Sequence, residues 1–171
     1  SSMRNLFSAG LDYNYVSADL ASYNNIGGIK GDKLQTQNIE VLDNFGAYFQ
    51  NQLFFYKNIS SVSISGRFDN IDIRNENQLF AFQNSKRTFS NFTPRIALNY
   101  KFTPLIAAYT SYGLGYDSPT AVELTNYQYT SNNGATTLNP DLNPQDTKNF
   151  EIGIKGNVLP ESGILNKSYF E

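Results

Sequence analysis

Residues 139–156 read NPDLNPQDTKNFEIGIKG. Two Asn-Pro steps brace the first half as a loop, because proline fixes its own φ and pushes the residue before it out of the helical region. The second half alternates. Phe150, Ile152 and Ile154 fall on one face, and Asn149, Glu151, Gly153 and Lys155 on the other. Period-two alternation predicts a strand over 147–155 with one apolar and one polar face. Pro140 and Pro144 precede the ladder, where a missing N–H does no harm.

The same alternation recurs upstream. Phe7, Ala9, Leu11, Tyr13 and Tyr15 oppose Ser8, Gly10, Asp12 and Asn14. In 44–56, Phe45, Ala47, Phe49, Leu53 and Phe55 are in phase, with Asn51 the one defect. Val62, Ile64 and Phe68 oppose Ser61, Ser63, Ser65 and Arg67, and Ile96, Leu98, Tyr100 and Phe102 oppose Arg95, Ala97, Asn99 and Lys101. A fifth strand over 105–113 follows from propensity alone, since its two faces differ little. A seventh is expected from Ile164 to Glu171.

The connections carry a second signal. Short ones (57–60, Thr103-Pro104, 157–163) alternate with long polar ones over 18–43, 70–88 and 116–146. Structureless loops of that length are uncommon in compact domains. An antiparallel up-and-down meander with all its long loops on one side gives this order, which is the pattern of a transmembrane β-barrel. In a barrel every backbone group pairs with a neighbouring strand, the apolar face meets lipid, and the polar face meets the lumen. The reverse assignment fails, because a charge at the lipid midplane costs roughly 2–4 kcal/mol and Arg67, Arg95, Glu151 and Lys155 all lie on the polar face. Tyr13, Tyr15, Tyr56, Phe68, Tyr100 and Phe102 suit interfacial girdles. A soluble β-sandwich also buries one face of each sheet. Loop asymmetry and aromatic strand ends favour the barrel.

Composition narrows the function. Aromatics reach 15%, and 13 Lys and Arg stand against 15 Asp and Glu, so the clustered basic surface that nucleic acid requires is missing. There is no Cys and no His, which removes disulfide mini-folds, cysteine or histidine metal sites, and Ser-His-Asp or Cys-His catalysis. Asp69 with Asp72 and Asp141 with Asp146 are the remaining carboxylate pairs, and both read as solvated turn formers. The segment 69–76 lacks the spacing of a calcium loop. An enzyme is not expected, nor a resident metal or cofactor. No apolar run approaches a spanning helix, and the N-terminus shows no leader pattern. The chain is therefore either cytosolic or a mature or internal piece of an exported protein.

FTPRIALNYKFTPLIAAYTSYGLGYDSPTAVEL, from Phe92 to Leu124, followed by residues 138–156, resembles the barrel of TonB-dependent outer-membrane receptors. The matching residues are Pro94-Arg95 opening a strand, Gly115, Pro119-Thr120, Glu123-Leu124, the block Asn139, Pro140, Asp141, Leu142, Asn143 and Pro144, and then Glu151, Gly153, Lys155 and Gly156. The match is specific over roughly 89–170, while residues 1–88 fit as generic barrel strands. The resemblance implies part of a barrel of about 22 strands, here about six strands and the start of a seventh, with the plug and the remaining strands absent. Residues 1–171 alone are not expected to fold as a stable monomer in water, because an open sheet leaves two unpaired edges and a bare apolar face.

The resemblance also implies a place in the bacterial outer membrane, contact with its lipid, and uptake of a scarce nutrient complex powered by the TonB complex through the plug. Ferric siderophores are the foremost cargo it suggests; cobalamin, haem, other metal complexes and glycans are alternatives. Tyr116, Tyr127 and Tyr129 are candidates to stack on an aromatic chelator, and Arg67 and Arg87 to meet an anionic complex. Each has a plainer reading: tyrosines cap barrel rims, and a lumen arginine pairs with a plug or wall carboxylate. Pro119-Thr120 and Glu123-Leu124 read as structural, with Glu123 accepting hydrogen bonds from a loop or the plug. A passive porin and a soluble carbohydrate-binding sandwich, to which sequons at Asn58, Asn91 and Asn166 are suited, remain the rival functions.

Overall fold

A computed structural model of the chain describes residues 3–125, 138–157 and 169–170. Seven antiparallel strands lie in chain order in one sheet: β1 (Arg4–Ile26), β2 (Ile29–Phe55), β3 (Ser60–Asn77), β4 (Ser85–Lys101), β5 (Ile106–Asp117), β6 (Gln145–Asn157) and β7 (Tyr169–Phe170). The meander is the one expected. Among the described residues no second sheet covers the first. The expected start of the last strand at Ile164 lies outside the described residues.

Register turns the sequence alternation into two continuous faces. Phe150 stands opposite Tyr112, Tyr112 opposite Ile96, Ile96 opposite Ile64, Ile64 opposite Asn51, and Asn51 opposite Phe7. One residue along, Glu151, Ser111, Ala97, Ser63 and Gln52 make the matching row of the polar face. The apolar face is bare: Phe150 is 68% exposed and Ile152 74%. Its band runs on β3 from Ser60 to about Asn70, the roughly 10 residues that a tilted membrane strand needs. Beyond it, on the same face, charges appear and pair. Asp43 accepts from Tyr13 Oη and Arg74 Nη2, both at 2.6 Å, and Asp72 accepts from Lys86 Nζ at 2.9 Å and Thr88 Oγ1 at 2.6 Å.

Asn51, the defect in the alternation, sits within that apolar band with its Oδ1 buried and unpartnered. Its cross-strand neighbours are Phe7 and Ile64. Asn51→Leu is expected to raise the unfolding free energy of the full-length protein by about 1–2 kcal/mol, because it removes a buried, unpaired amide. A lower denaturant midpoint for the variant counts against this placement.

Two of the three long gaps are mostly strand rather than loop. Across 18–43 the first two strands continue, pairing up to Ile26 and Ile29, with an irregularity between Ser22 and Asn25. Gly27 and Gly28 close the hairpin with φ of +60° and +91°, the two positive angles of a tight two-residue turn, and Gly28 N donates to Asn25 Oδ1 at 2.7 Å. Across 70–88, β3 runs on to Asn77 and β4 begins at Ser85, leaving a short connection with a 3-10 turn at Ala81–Gln83. Pairing with a neighbour holds these extensions although their faces are mixed in polarity.

Pro94 differs from expectation as well, since it lies inside β4 rather than opening it. The ladder between β4 and β5 begins at Arg95 opposite Gly113; above that point β4 pairs with β3 alone. A residue without an N–H is tolerated at such a strand edge. The short-turn end is tight: Tyr56, Lys57 and Asn58 all have positive φ.

Candidate functional site

The polar face carries three groupings, ordered from the end with long connections to the end with short turns. At the first, a short helix, α1 (Ala121–Thr125), begins with a capping box. Thr120 Oγ1 accepts from Glu123 N at 3.3 Å, while Glu123 Oε2 accepts from Thr120 N at 2.8 Å and Thr120 Oγ1 at 3.0 Å. The cap aims Leu124 into a cluster with Ile73, Phe89 and Leu138, where it is fully buried. Asn139 N donates to Leu124 O at 2.9 Å. Arg87 completes the latch, with Nη1 donating to Asn139 O at 2.6 Å and Nη2 to Leu142 O at 3.1 Å. The Asn-Pro block is thereby folded onto the polar face of β4 where β5 no longer pairs with it. A cavity of about 460 Å³ opens beside the latch, lined by Asp117, Pro119, Glu123, Asn139, Asn143 and Gln145 among others.

The Glu123 carboxyl is held below its ordinary value of 4.5 by the Thr120 backbone N–H and then by the Thr120 hydroxyl. A depressed folded pKa contributes stability above the unfolded value and loses it as pH falls through the folded one. Amide exchange over Ala121–Thr125 is therefore expected to quicken as pH falls below about 4.5, once corrected for intrinsic rates. Glu123→Gln should quicken it at neutral pH and flatten the pH response; an unchanged response in that variant refutes the cap.

Arg67 forms the second grouping. Its Nη1 and Nη2 donate to the two oxygens of Asp12 at 2.8 and 3.0 Å, and its Nε and Nη2 donate to Asp69 at 2.7–3.0 Å. The guanidinium lies across Gly46, where a Cβ would collide with it and with Asp12. The third grouping is a trough of about 530 Å³ near the short-turn end, where small residues such as Ser61, Ser63, Ala97 and Ala107 leave room between Arg95, Lys101 and Lys155. Tyr109 Oη donates to Glu151 Oε1 at 3.1 Å, and Lys155 Nζ stands 5.1 Å from the Tyr109 ring centroid. The ring lies over Gly153, whose missing side chain makes that approach possible.

The candidate residues separate accordingly. Arg67 is engaged with two wall carboxylates, the arrangement of its plainer reading, whereas Arg87 departs from that reading by donating to two loop carbonyls instead of a carboxylate. Tyr116 packs against the Leu124 cluster, while Tyr127 and Tyr129 lie outside the described residues. Glu123 accepts from its own loop. Tyr109, Lys101 and Ser111 were not singled out from the sequence. The weak alternation of 105–113 hid Tyr109 and Ser111, while Lys101 reads in sequence as one more polar-face residue. Cross-strand register with β6 brings them together with Glu151 and Lys155. A family model described as "TonB dependent receptor-like, beta-barrel" matches residues 3–171. Comparison with curated proteins finds no match.

Proposed function

The chain belongs to the TonB-dependent receptor β-barrel family of the bacterial outer membrane, a family of transport receptors, and from that premise we propose that it serves TonB-energised uptake of a ferric siderophore. The bare apolar face is then the lipid face and the polar face lines the lumen. The end with long connections is extracellular and the short-turn end periplasmic.

The observation that carries the cargo reading is the latched segment at the extracellular mouth. Arg87 and the Leu124 cluster hold the Asn-Pro block against the lumen wall, and the cavity beside it presents carboxylates, amides and backbone edges. A chelate wrapped in amides and carbonyls meets matching donors and acceptors there. Direct capture by Arg67 or Arg87 is the less favoured arrangement, because both guanidiniums already have partners.

The test is uptake of radiolabelled ferric siderophores by iron-limited cells whose only such receptor is the full-length protein. Uptake that disappears when TonB is deleted is the expected result. Uptake indifferent to TonB is the behaviour of a passive porin and overturns the energised reading. Uptake of an oligosaccharide and of no iron chelate overturns the siderophore assignment.

A further inference from the structure

We propose that the periplasmic trough is a binding site for carboxylate groups of the cargo as it passes along the wall. Three cations face it: Arg95, Lys101 and Lys155. Among the described residues, the ion pairs are those of Arg67, Arg74 and Lys86, so none of these three meets a carboxylate. Arg95 Nη2 donates, among the described residues, to the neutral Ser111 Oγ, at 3.3 Å. Glu151 is the single carboxylate among the described residues of the lining, and its Oε1 accepts from Tyr109. Among the described residues the trough therefore holds three cations against one carboxylate, a surplus of positive charge on the polar face.

Shape and neutral donors point the same way. The volume falls within the roughly 300–1,000 Å³ typical of small-molecule clefts. Ser61 and Ser111 are more than nine-tenths buried, at 8% and 7% exposure, so the floor is hydroxyl-bearing wall and not a spray of surface side chains. A planar guanidinium flanked by two ammonium groups and serine hydroxyls suits oxygens with delocalised negative charge. Nearer the mouth the arrangement is different, since Arg67 is outnumbered by Asp12 and Asp69. The preference for anionic oxygen thus belongs to the exit half of the wall.

Assigning the anion to cargo rests on the transport reading above, so the test separates the two. Full-length receptor in detergent is treated with a limiting amine-acetylating reagent, and each lysine is quantified by mass spectrometry with citrate, with uncharged ribitol, and with neither. Citrate at ten times its Kd is expected to slow acetylation of Lys101 and Lys155 about tenfold. Lys57 in the short turn and Lys86 on the opposite face should react at unchanged rates, and ribitol should protect nothing. Equal rates at Lys101 and Lys155 with and without citrate, in receptor that still transports, overturn the inference alone. Carbodiimide coupling of either lysine to a carboxylate of the same polypeptide also overturns it, because the counter-ion is then the protein's own. Loss of iron-chelate uptake with citrate protection intact removes the transport reading and leaves the carboxylate site.

Discussion

Ile152→Lys in the intact receptor is expected to lower the unfolding free energy by about 2–4 kcal/mol, against less than about 1 kcal/mol for Asn149→Lys three residues away. Ile152 stands in the row Thr110, Leu98, Val62 and Leu53, inside the apolar band and 74% exposed. An ammonium there must enter hydrocarbon or distort the bilayer to reach water. Asn149 occupies the other face, where water or polar groups solvate the same charge. Unfolding both variants by denaturant in lipid vesicles measures the difference. Equal costs refute the assignment of faces, and a larger cost at Asn149 reverses it.

Leu124→Ala is expected to release the extracellular latch, at a cost of about 2–4 kcal/mol. Leu124 has 0% exposure and packs against Ile73, Phe89 and Leu138. The loss is local, because the segment is tied to the wall by this cluster, by Leu138 N donating to Ser85 Oγ at 3.3 Å and by the two Arg87 bonds, and among the described residues by no strand pairing on the β4 side. Hydrogen exchange at the Asn139 amide should therefore accelerate by about 30-fold or more, since each 1.4 kcal/mol is a factor of ten, while amides of β2 and β3 keep their protection. A uniform loss of protection across the sheet would make Leu124 part of the global fold rather than a latch.

Much of the architecture was legible because membrane strands write their environment into alternate residues. Phe150, Ile152 and Ile154 against Glu151 and Lys155 needed no partner strand to be assigned a face. The extensions of β1, β2 and β3 were hidden for the opposite reason. Beyond the apolar band neither face is uniformly apolar, so Ala18–Tyr23 and Leu34–Val41 keep strand geometry without keeping period-two polarity. Gly27-Gly28 between two isoleucines was the readable hairpin signal there. The site was less legible still. That Thr120 and Glu123 close a capping box is written in their spacing, but Arg67 meeting Asp12, 55 positions away, depends on register across three strands. Likewise Pro94 looks like a strand opener until the end of the β4–β5 ladder shows which edge it occupies.

The β1–β2 hairpin has a consequence for the cell's outer surface. From Asp43 to Ile29 the second strand continues past the apolar band for about 15 residues, roughly 45 Å of ribbon and, at the tilt usual for such barrels, roughly 35 Å of height. That exceeds the hydrocarbon thickness of the membrane it stands on. With the long connections outside, as proposed above, its tip Ile26-Gly27-Gly28-Ile29 stands well clear of the membrane surface. An antibody raised against residues 24–31 should stain living cells, whereas one against the trough residues should bind only after the envelope is broken.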